Sequence, residues 1–288
     1  MAGPTSDGLL LVDKPAGMTS HDAVNRARTA LGERRIGHAG TLDPFATGLL
    51  VMLVGRATRL LPFVEGEPKV YEATIRFGIG TDTDDLTGTV TRRADVPEAA
   101  MVERAITDLT GDLDQRPPAF SAKQVEGQRA YAAARRGQAL VIEPVHVRVH
   151  AWEVGQWHGD ELDVVVTCGG GTYVRALARD LGERSGSAAH LSALRRVRSG
   201  PLGVDGATSG AVPDASTLRS PLDAMPSMPT LTLDAMAVGR IVRGMAIPAG
   251  AEAPGAARCA LVDSGGAIVA IAERVGSAWH PRVVLREA

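Results

Sequence analysis

Gly37-His38-Ala39-Gly40-Thr41-Leu42-Asp43-Pro44-Phe45-Ala46-Thr47-Gly48-Leu49-Leu50 runs without a break into Val51-Met52-Leu53-Val54-Gly55-Arg56-Ala57-Thr58-Arg59. One carboxylate thus stands in a polar glycine loop directly ahead of a long apolar run. Asp followed by Pro is the residue order of a helix start, because Asp accepts from free backbone N–H groups and Pro fits the first helical position without losing a donor. The order predicts a helix N-terminus at Asp43 with the apolar run as its body. The same N–H groups and the positive helix end are expected to keep Asp43 ionised. Taken alone, such a dipeptide is an ordinary cap.

The chain has 288 residues, 44% of them hydrophobic, enough for one large domain plus a small one. Its two cysteines, Cys168 and Cys259, are far apart in sequence, which argues for a reducing compartment and against a disulfide framework or a Cys-based metal site. The first residues, Met1-Ala2-Gly3-Pro4-Thr5-Ser6-Asp7, lack a basic start and an apolar core, and no apolar run is long enough to span a bilayer. A cytoplasmic protein without membrane partners is expected. The net charge of −2 does not by itself point to nucleic acid. Its distribution is more telling: residues 82–114 are acidic, whereas 115–150 and 171–200 are rich in arginine, a pattern suited to phosphate contact beside candidate catalytic segments.

The elements read as mixed strands and helices. Leu9–Val12 is a short strand, and a helix begins at Ser20, its expected cap, and runs towards Leu31-Gly32. Residues 70–79 alternate in the strand manner, with Tyr71, Ala73, Ile75 and Phe77 on one face. Pro97–Leu109 is an amphipathic helix, Leu162–Cys168 a buried strand, and Val174, Leu177, Ala178 and Leu181 mark a helix face closed by Gly182. Residues 203–229 read as a connector with little core of its own. Beyond it, Asp234–Gly244 is a capped helix, and a hairpin turns at Asp263-Ser264-Gly265-Gly266.

Several side chains carry more than one reading. Tyr71 sits on an apolar strand face, where periodicity favours core packing. Tyr173 and Arg175 share a face only if the backbone between them is extended. An arginine in the first turn of a helix opposes the helix dipole, so a negative partner would rationalise Arg175. His38 suits a general base, a metal ligand or a loop hydrogen bond, although no second histidine follows at ligand spacing. Asp82-Thr83-Asp84-Asp85 lacks the glycine and terminal Glu of a calcium loop and reads as a turn with Asx hydrogen bonds. Leu194 reads as core on a helix.

The Gly37–Arg59 string resembles the catalytic motif of the TruB family of tRNA pseudouridine synthases. Further segments are similar to that family in the same order: Gly8–Ser20 with its lysine-proline turn at Lys14-Pro15, Lys69–Ala73 with Gly80–Gly88, Gly170–Arg175, and Ala189-His190 with Leu194-Arg195-Arg196. Agreement covers about the first 200 residues and weakens after Gly200.

The resemblance implies an α+β fold: a mixed, largely antiparallel sheet flanked by helices, with an inserted RNA-gripping arm at about 111–145. It also implies a catalytic domain over 1–222 and a small PUA-like, β-rich RNA-binding domain over 223–288. Asp43 becomes the nucleophile, Arg175 the cation that pairs with it, and Tyr71 a catalytic residue in contact with the target base. His38 helps to hold the flipped nucleotide, and Tyr173 and Leu194 line the base pocket. Lys14, Arg135, Arg136, Arg195 and Arg196 are the expected RNA contacts.

The implied reaction isomerises uridine to pseudouridine in the T loop of tRNA, at position 55. It adds and removes no atoms, so no cofactor and no metal are expected. The partner is the tRNA T-arm, with no guide RNA, and the protein is expected to be a monomer. Two other classes stay open: an RNA-binding or tRNA-folding protein with little catalysis, and a metal-dependent hydrolase using His38, Asp82 and Asp84. A guide-dependent pseudouridine synthase is the alternative within the main class.

Overall fold

The run Thr47–Val54 is a strand, and its burial explains its composition. Leu50, Met52 and Val54 enter one hydrophobic core while Leu49, Val51 and Leu53 enter another on the opposite face. A strand covered on both faces reads as a continuous apolar segment, and periodicity cannot tell it from a buried helix. The helix expected to start at Asp43 is therefore absent. Asp43 lies in a loop closed by a hydrogen bond from Ala46 N to Asp43 O (3.1 Å).

The computed structural model describes residues 7–120, 143–209, 213, 215–250 and 255–286, plus the backbone of 124–125 and 128–129. In chain order the first strands are β1 (Gly8–Lys14), β2 (Ile36–His38), β3 (Thr47–Val54), β4 (Lys69–Phe77), β5 (Ile79–Thr81), β6 (Val90–Arg93) and β7 (Gly111–Gln115). After the short pair β8 (Gln124–Val125) and β9 (Gln128–Arg129) come β10 (Val145–His158), β11 (Glu161–Cys168), β12 (Ala189–Ser199), β13 (Leu202–Gly203) and β14 (Thr208–Ser209). Helices α1 (Ser20–Leu31), α2 (Ala99–Asp108) and α3 (Val174–Arg184) are interspersed.

The main sheet has ten strands in the order β14-β1-β3-β12-β4-β11-β10-β7, with β13 on β12 and β2 on β3. Only β1/β14 and β3/β12 pair in parallel, so the sheet is mixed and largely antiparallel. The three helices cover one face: Ala23, Val24 and Ala27, then Val102 and Ala105, then Val174, Leu177 and Leu181 join Tyr71, Ala73, Ile75 and Phe77 in its core.

Three local expectations change. The cap of α1 is Thr19, which forms a capping box with Asp22, and Ser20 is free to bond elsewhere. Gly182 does not close α3 but lies within it, because a Cβ there would come within 2.4 Å of Ala189 N, where the helix crosses β12. The supposed connector after residue 203 contributes to the core. Its β14 extends the sheet beside β1, and Ala224 and Met225 are buried in the second core.

A second, five-stranded sheet is formed by β15 (Thr230–Thr232), β16 (Ile247–Pro248), β17 (Arg258–Val262), β18 (Ile268–Val275) and β19 (Ala278–Val284), with α4 (Ala235–Val242) capped by Asp234. This sheet is not tethered only by chain. Ala260, Ile271 and Leu285 pack with Leu9, Leu11, Val51 and Leu60 in one continuous core. Arg56 donates to Leu285 O (3.1 Å), Arg59 donates to Val284 O, and the Arg258 guanidinium lies over the Phe63 ring.

Candidate active site

The loop that carries Asp43 is pinned from three directions. Ser20 Oγ donates to Leu42 O (3.0 Å) and accepts from Leu42 N (2.8 Å). Gly17 N donates to Pro44 O (2.8 Å). Lys14 Nζ, fully buried, donates to Met18 O (2.9 Å), Pro15 O (3.0 Å) and Pro44 O (3.5 Å). The loop flanking Asp43 is thereby fixed without a helix, through groups that satisfy its orphan carbonyls.

Arg175, in the first turn of α3, meets this carboxylate edge to edge. Its Nε lies 2.8 Å from Asp43 Oδ2 and its Nη2 3.1 Å from Asp43 Oδ1. The remaining donors reach Thr83 O (2.8 Å) and Phe120 O (3.0 Å), and Asp85 Oδ2 is 3.6 Å away. The guanidinium side chain is only 4% exposed, whereas Asp43 is 34% exposed. The fork is thus immobilised from behind while the carboxylate stays accessible, as a planar bidentate donor permits. The negative partner expected for Arg175 is Asp43.

A cavity of about 260 Å³ opens in front of the pair, lined by Asp43, Lys69, Tyr71, Tyr173, Leu194 and Arg196 together with the Gly40 and Gly171 turns. Tyr71 and Arg196 are direct cross-strand partners, as are Leu194 and Ala73. Leu194 is a strand residue, not a helical one. Tyr71 is buried, which raises its phenol above the ordinary value, while the charge and hydrogen bond of Arg196 act in the opposite direction. Tyr173 is held by an amide not anticipated from sequence: Gln115 Nε2 donates to Tyr173 O (3.1 Å) and Tyr173 N donates to Gln115 Oε1 (2.9 Å).

His38 ends β2, and its pKa is lowered by burial and then by Arg196. Its Nδ1 is buried without a hydrogen-bond partner among the described residues. Asp82 and Asp84 do not converge on it. Asp82 accepts from Thr89 N (2.7 Å), Asp84 pairs with Arg179 (2.9 Å), and Asp85 accepts from Thr87 N (2.9 Å) as an Asx turn. No group of three His, Cys, Asp or Glu side chains among the described residues could hold a metal ion.

The expected RNA contacts divide. Lys14 and Arg196 are inward residues; Arg196 is 1% exposed and donates to Leu49 O (2.8 Å) and Gly40 O (3.1 Å). Both are turned inward, Lys14 onto the carbonyls around Pro44 and Arg196 onto those of Gly40 and Leu49, and so hold the segments on either side of Asp43. Arg195 points to the opposite face of β12 in a bidentate pair with Asp13 (3.0 and 2.8 Å). Arg135 and Arg136 lie outside the described residues.

Sequence reading missed Ser20 as a loop anchor, Thr83 O and Asp85 behind Arg175, and Gln115. The first three lie inside quoted motifs, but nothing marks Gln115, which falls at the boundary between the acidic and the arginine-rich segments. Both cysteines are free and buried, and no helix among the described residues is long and apolar enough to cross a membrane.

The chain is 42% identical to tRNA pseudouridine synthase B of Mycobacteroides abscessus, over 98% of this chain and 97% of that protein. It is 43% identical to the Thermobifida fusca protein of the same name, over 97% of this chain and 98% of that one. Its fold is similar to a chain of a Cbf5-Nop10-Gar1 complex, with a TM-score of 0.71, 23% identity, and 98% of this chain and 86% of that chain covered. The likeness in fold includes the C-terminal sheet, which fits a PUA-like module. The N-terminal-domain model of the TruB family pseudouridylate synthases matches residues 28–174, a span that holds Asp43 and ends one residue before Arg175. By that match and by full-length relatives above 40% identity, the chain belongs to the TruB family of pseudouridine synthases.

Proposed function

We propose that this protein converts uridine to pseudouridine in the T loop of tRNA, at position 55, acting as a monomer with neither guide RNA nor cofactor. The observation that carries this reading is the Asp43–Arg175 pair, bidentate at 2.8 and 3.1 Å, at the wall of a cavity of about 260 Å³. The tRNA substrate is supported by the names of the full-length relatives.

Isomerisation breaks the bond from N1 of uracil to ribose C1′, forms one from C5 to C1′, moves a proton off C5 and places one on N1. Asp43 is the nucleophilic carboxylate that divides this change into easier steps, and Arg175 holds it in line. A flipped uracil would pack between Tyr71, Tyr173 and Leu194, since a base must leave its stack to be reached. The Tyr71 phenol, which lines the same cavity as Asp43, takes the C5 proton on this reading. His38, at the end of β2, helps on this reading to hold the displaced nucleotide.

Residues 1–222 form the catalytic domain on this reading, and 223–288 the RNA-binding module. The 111–145 insertion grips the T-arm. Its described base is the ladder pairing Gly111–Gln115 with Val145–Val149.

The test is incubation of the purified protein, alone, with unmodified tRNA transcript, followed by mapping of pseudouridine along the RNA. A single product at the T-loop position is expected. Absence of product, or product confined to other positions, overturns the assignment. Sedimentation at the assay concentration checks the monomer.

A further inference from the structure

One cation at the cavity has no assigned work. Arg175 is committed to Asp43 and backbone carbonyls, and Arg196 to Leu49 O and Gly40 O. Lys69, the first residue of β4, lines both the base-sized cavity and a second, open cavity of about 530 Å³ that continues past Gly40 and Gly66. A Cβ placed on Gly40 would lie 3.7 Å from Lys69 Cε, and one on Gly170 would lie 3.7 Å from Lys69 Nζ. The ammonium therefore stands at the rim, between the glycine turn of the catalytic loop and the glycine turn before α3.

Among the described residues Lys69 has no hydrogen bond and no ion pair within 4.0 Å. Glu67 is the acidic group that acts on it, and its carboxylate faces the same Gly170 turn. Burial lowers the lysine pKa, and Glu67 restores part of it. A half-buried ammonium without a close counter-ion is an unfavourable arrangement unless an anion arrives. When a nucleoside occupies the inner cavity, its flanking phosphates are left at the rim, where both adjoining turns are glycine and a backbone can come close.

We infer that Lys69 binds a backbone phosphate flanking the target nucleotide and so holds the RNA strand at the point where the base leaves its stack. This rests on the RNA-modifying reading above and adds the substrate contact that reading lacks.

The experiment places Asp43→Asn in every protein to prevent turnover and measures binding of a T-arm stem-loop RNA against salt. Lys69→Met should weaken binding several-fold at about 0.1 M salt and flatten the log–log salt dependence by about 0.7, the release expected for one single-strand phosphate contact, whereas Lys69→Arg should keep the slope. A scan of uncharged methylphosphonate linkages supplies an arm that does not depend on folding of the variant. One linkage beside the target uridine should weaken binding to the Lys69 protein, and the same substitution should add no further loss with Lys69→Met.

An unchanged slope in a Lys69→Met protein of normal melting temperature overturns the inference. So does a scan of the Lys69 protein in which neither flanking linkage matters; Lys69 would then only balance Glu67. Failure of the wild-type protein to make pseudouridine in tRNA is a separate result and removes the functional reading itself.

Discussion

Gln115 and Tyr173 exchange two hydrogen bonds, amide to backbone in both directions, at 3.1 and 2.9 Å. A side-chain amide thus acts as a one-residue strand partner and fixes the backbone immediately before Arg175. Gln115 is buried. Truncation to alanine leaves a backbone N–H and a C=O without partners, which costs about 2–4 kcal/mol in total. Denaturant unfolding of Gln115→Ala should show that loss, and single-turnover rates should fall with it because Arg175 loses its register. Gln115→Glu should be at least as damaging, since a carboxylate cannot donate to Tyr173 O.

Asp43→Asn should abolish turnover while leaving the fold and RNA affinity near wild type. The amide keeps the shape but is a poor nucleophile, and Asp85, 3.6 Å from Arg175, remains to balance the buried guanidinium. Arg175→Lys keeps the charge and loses the fork, so a rate reduction of about a hundred- to a thousand-fold is expected. Substantial single-turnover activity in a clean Asp43→Asn preparation would remove Asp43 as nucleophile.

Tyr71 offers two separable roles. If the ring only packs or stacks, Tyr71→Phe should cost little, and Tyr71→Ala should lose stacking of about 1–3 kcal/mol. If the phenol oxygen takes the C5 proton, Tyr71→Phe should lose about a hundred- to ten-thousand-fold in rate with melting unchanged. Burial raises the phenol pKa and so opposes the phenolate that a base at this position requires, whereas the Arg196 charge and hydrogen bond favour it. The expected result is the large loss in Tyr71→Phe; near-normal single-turnover rates would leave the ring as a wall.

His38 has its pKa lowered by burial, with a buried Nδ1 that would gain an unpaired N–H on protonation. The unfolded chain then binds a proton at a higher pH than the folded one. Stability contributed by the neutral ring is complete above the ordinary value of about 6.5 and falls as pH drops towards the lowered folded value. Wild-type protein should therefore lose more melting temperature between pH 7.5 and pH 5, both experimental settings of about these values, than His38→Gln. Equal losses would mean that His38 does not resist protonation.

Removal of residues 223–288 should do more than weaken RNA binding. Ala224, Met225, Ala260, Ile271 and Leu285 cover Leu9, Leu11, Val51 and Leu60, so the truncated chain exposes a core face. Low soluble yield or a lowered melting temperature is expected. A fully stable truncated protein would show that the second core is dispensable.

Several features were legible in the order of residues alone. The Tyr71 to Phe77 alternation and the hairpin at Asp263–Gly266 are local, because strand period and turn chemistry act over a few neighbours. The position of Arg175 in a first helical turn implied a negative partner, since the dipole acts within that turn. The fate of Thr47–Val54 was not legible. Whether an apolar run is a two-sided strand or a buried helix depends on what covers it, and one of its two faces is closed by Ala260, Ile271 and Leu285 of the C-terminal sheet, remote in sequence. The same holds for direction. Arg195 and Arg196 are adjacent arginines, yet the strand period sends one to Asp13 on one face and the other beneath Gly40 on the other. Gln115 meets Tyr173, and Lys69 meets the rim, only because the sheet order brings segments far apart in sequence to one cavity. Sequence determined which groups were available and what each could do locally; tertiary structure decided which of them face the cavity, because burial and pairing are properties of the assembled sheet.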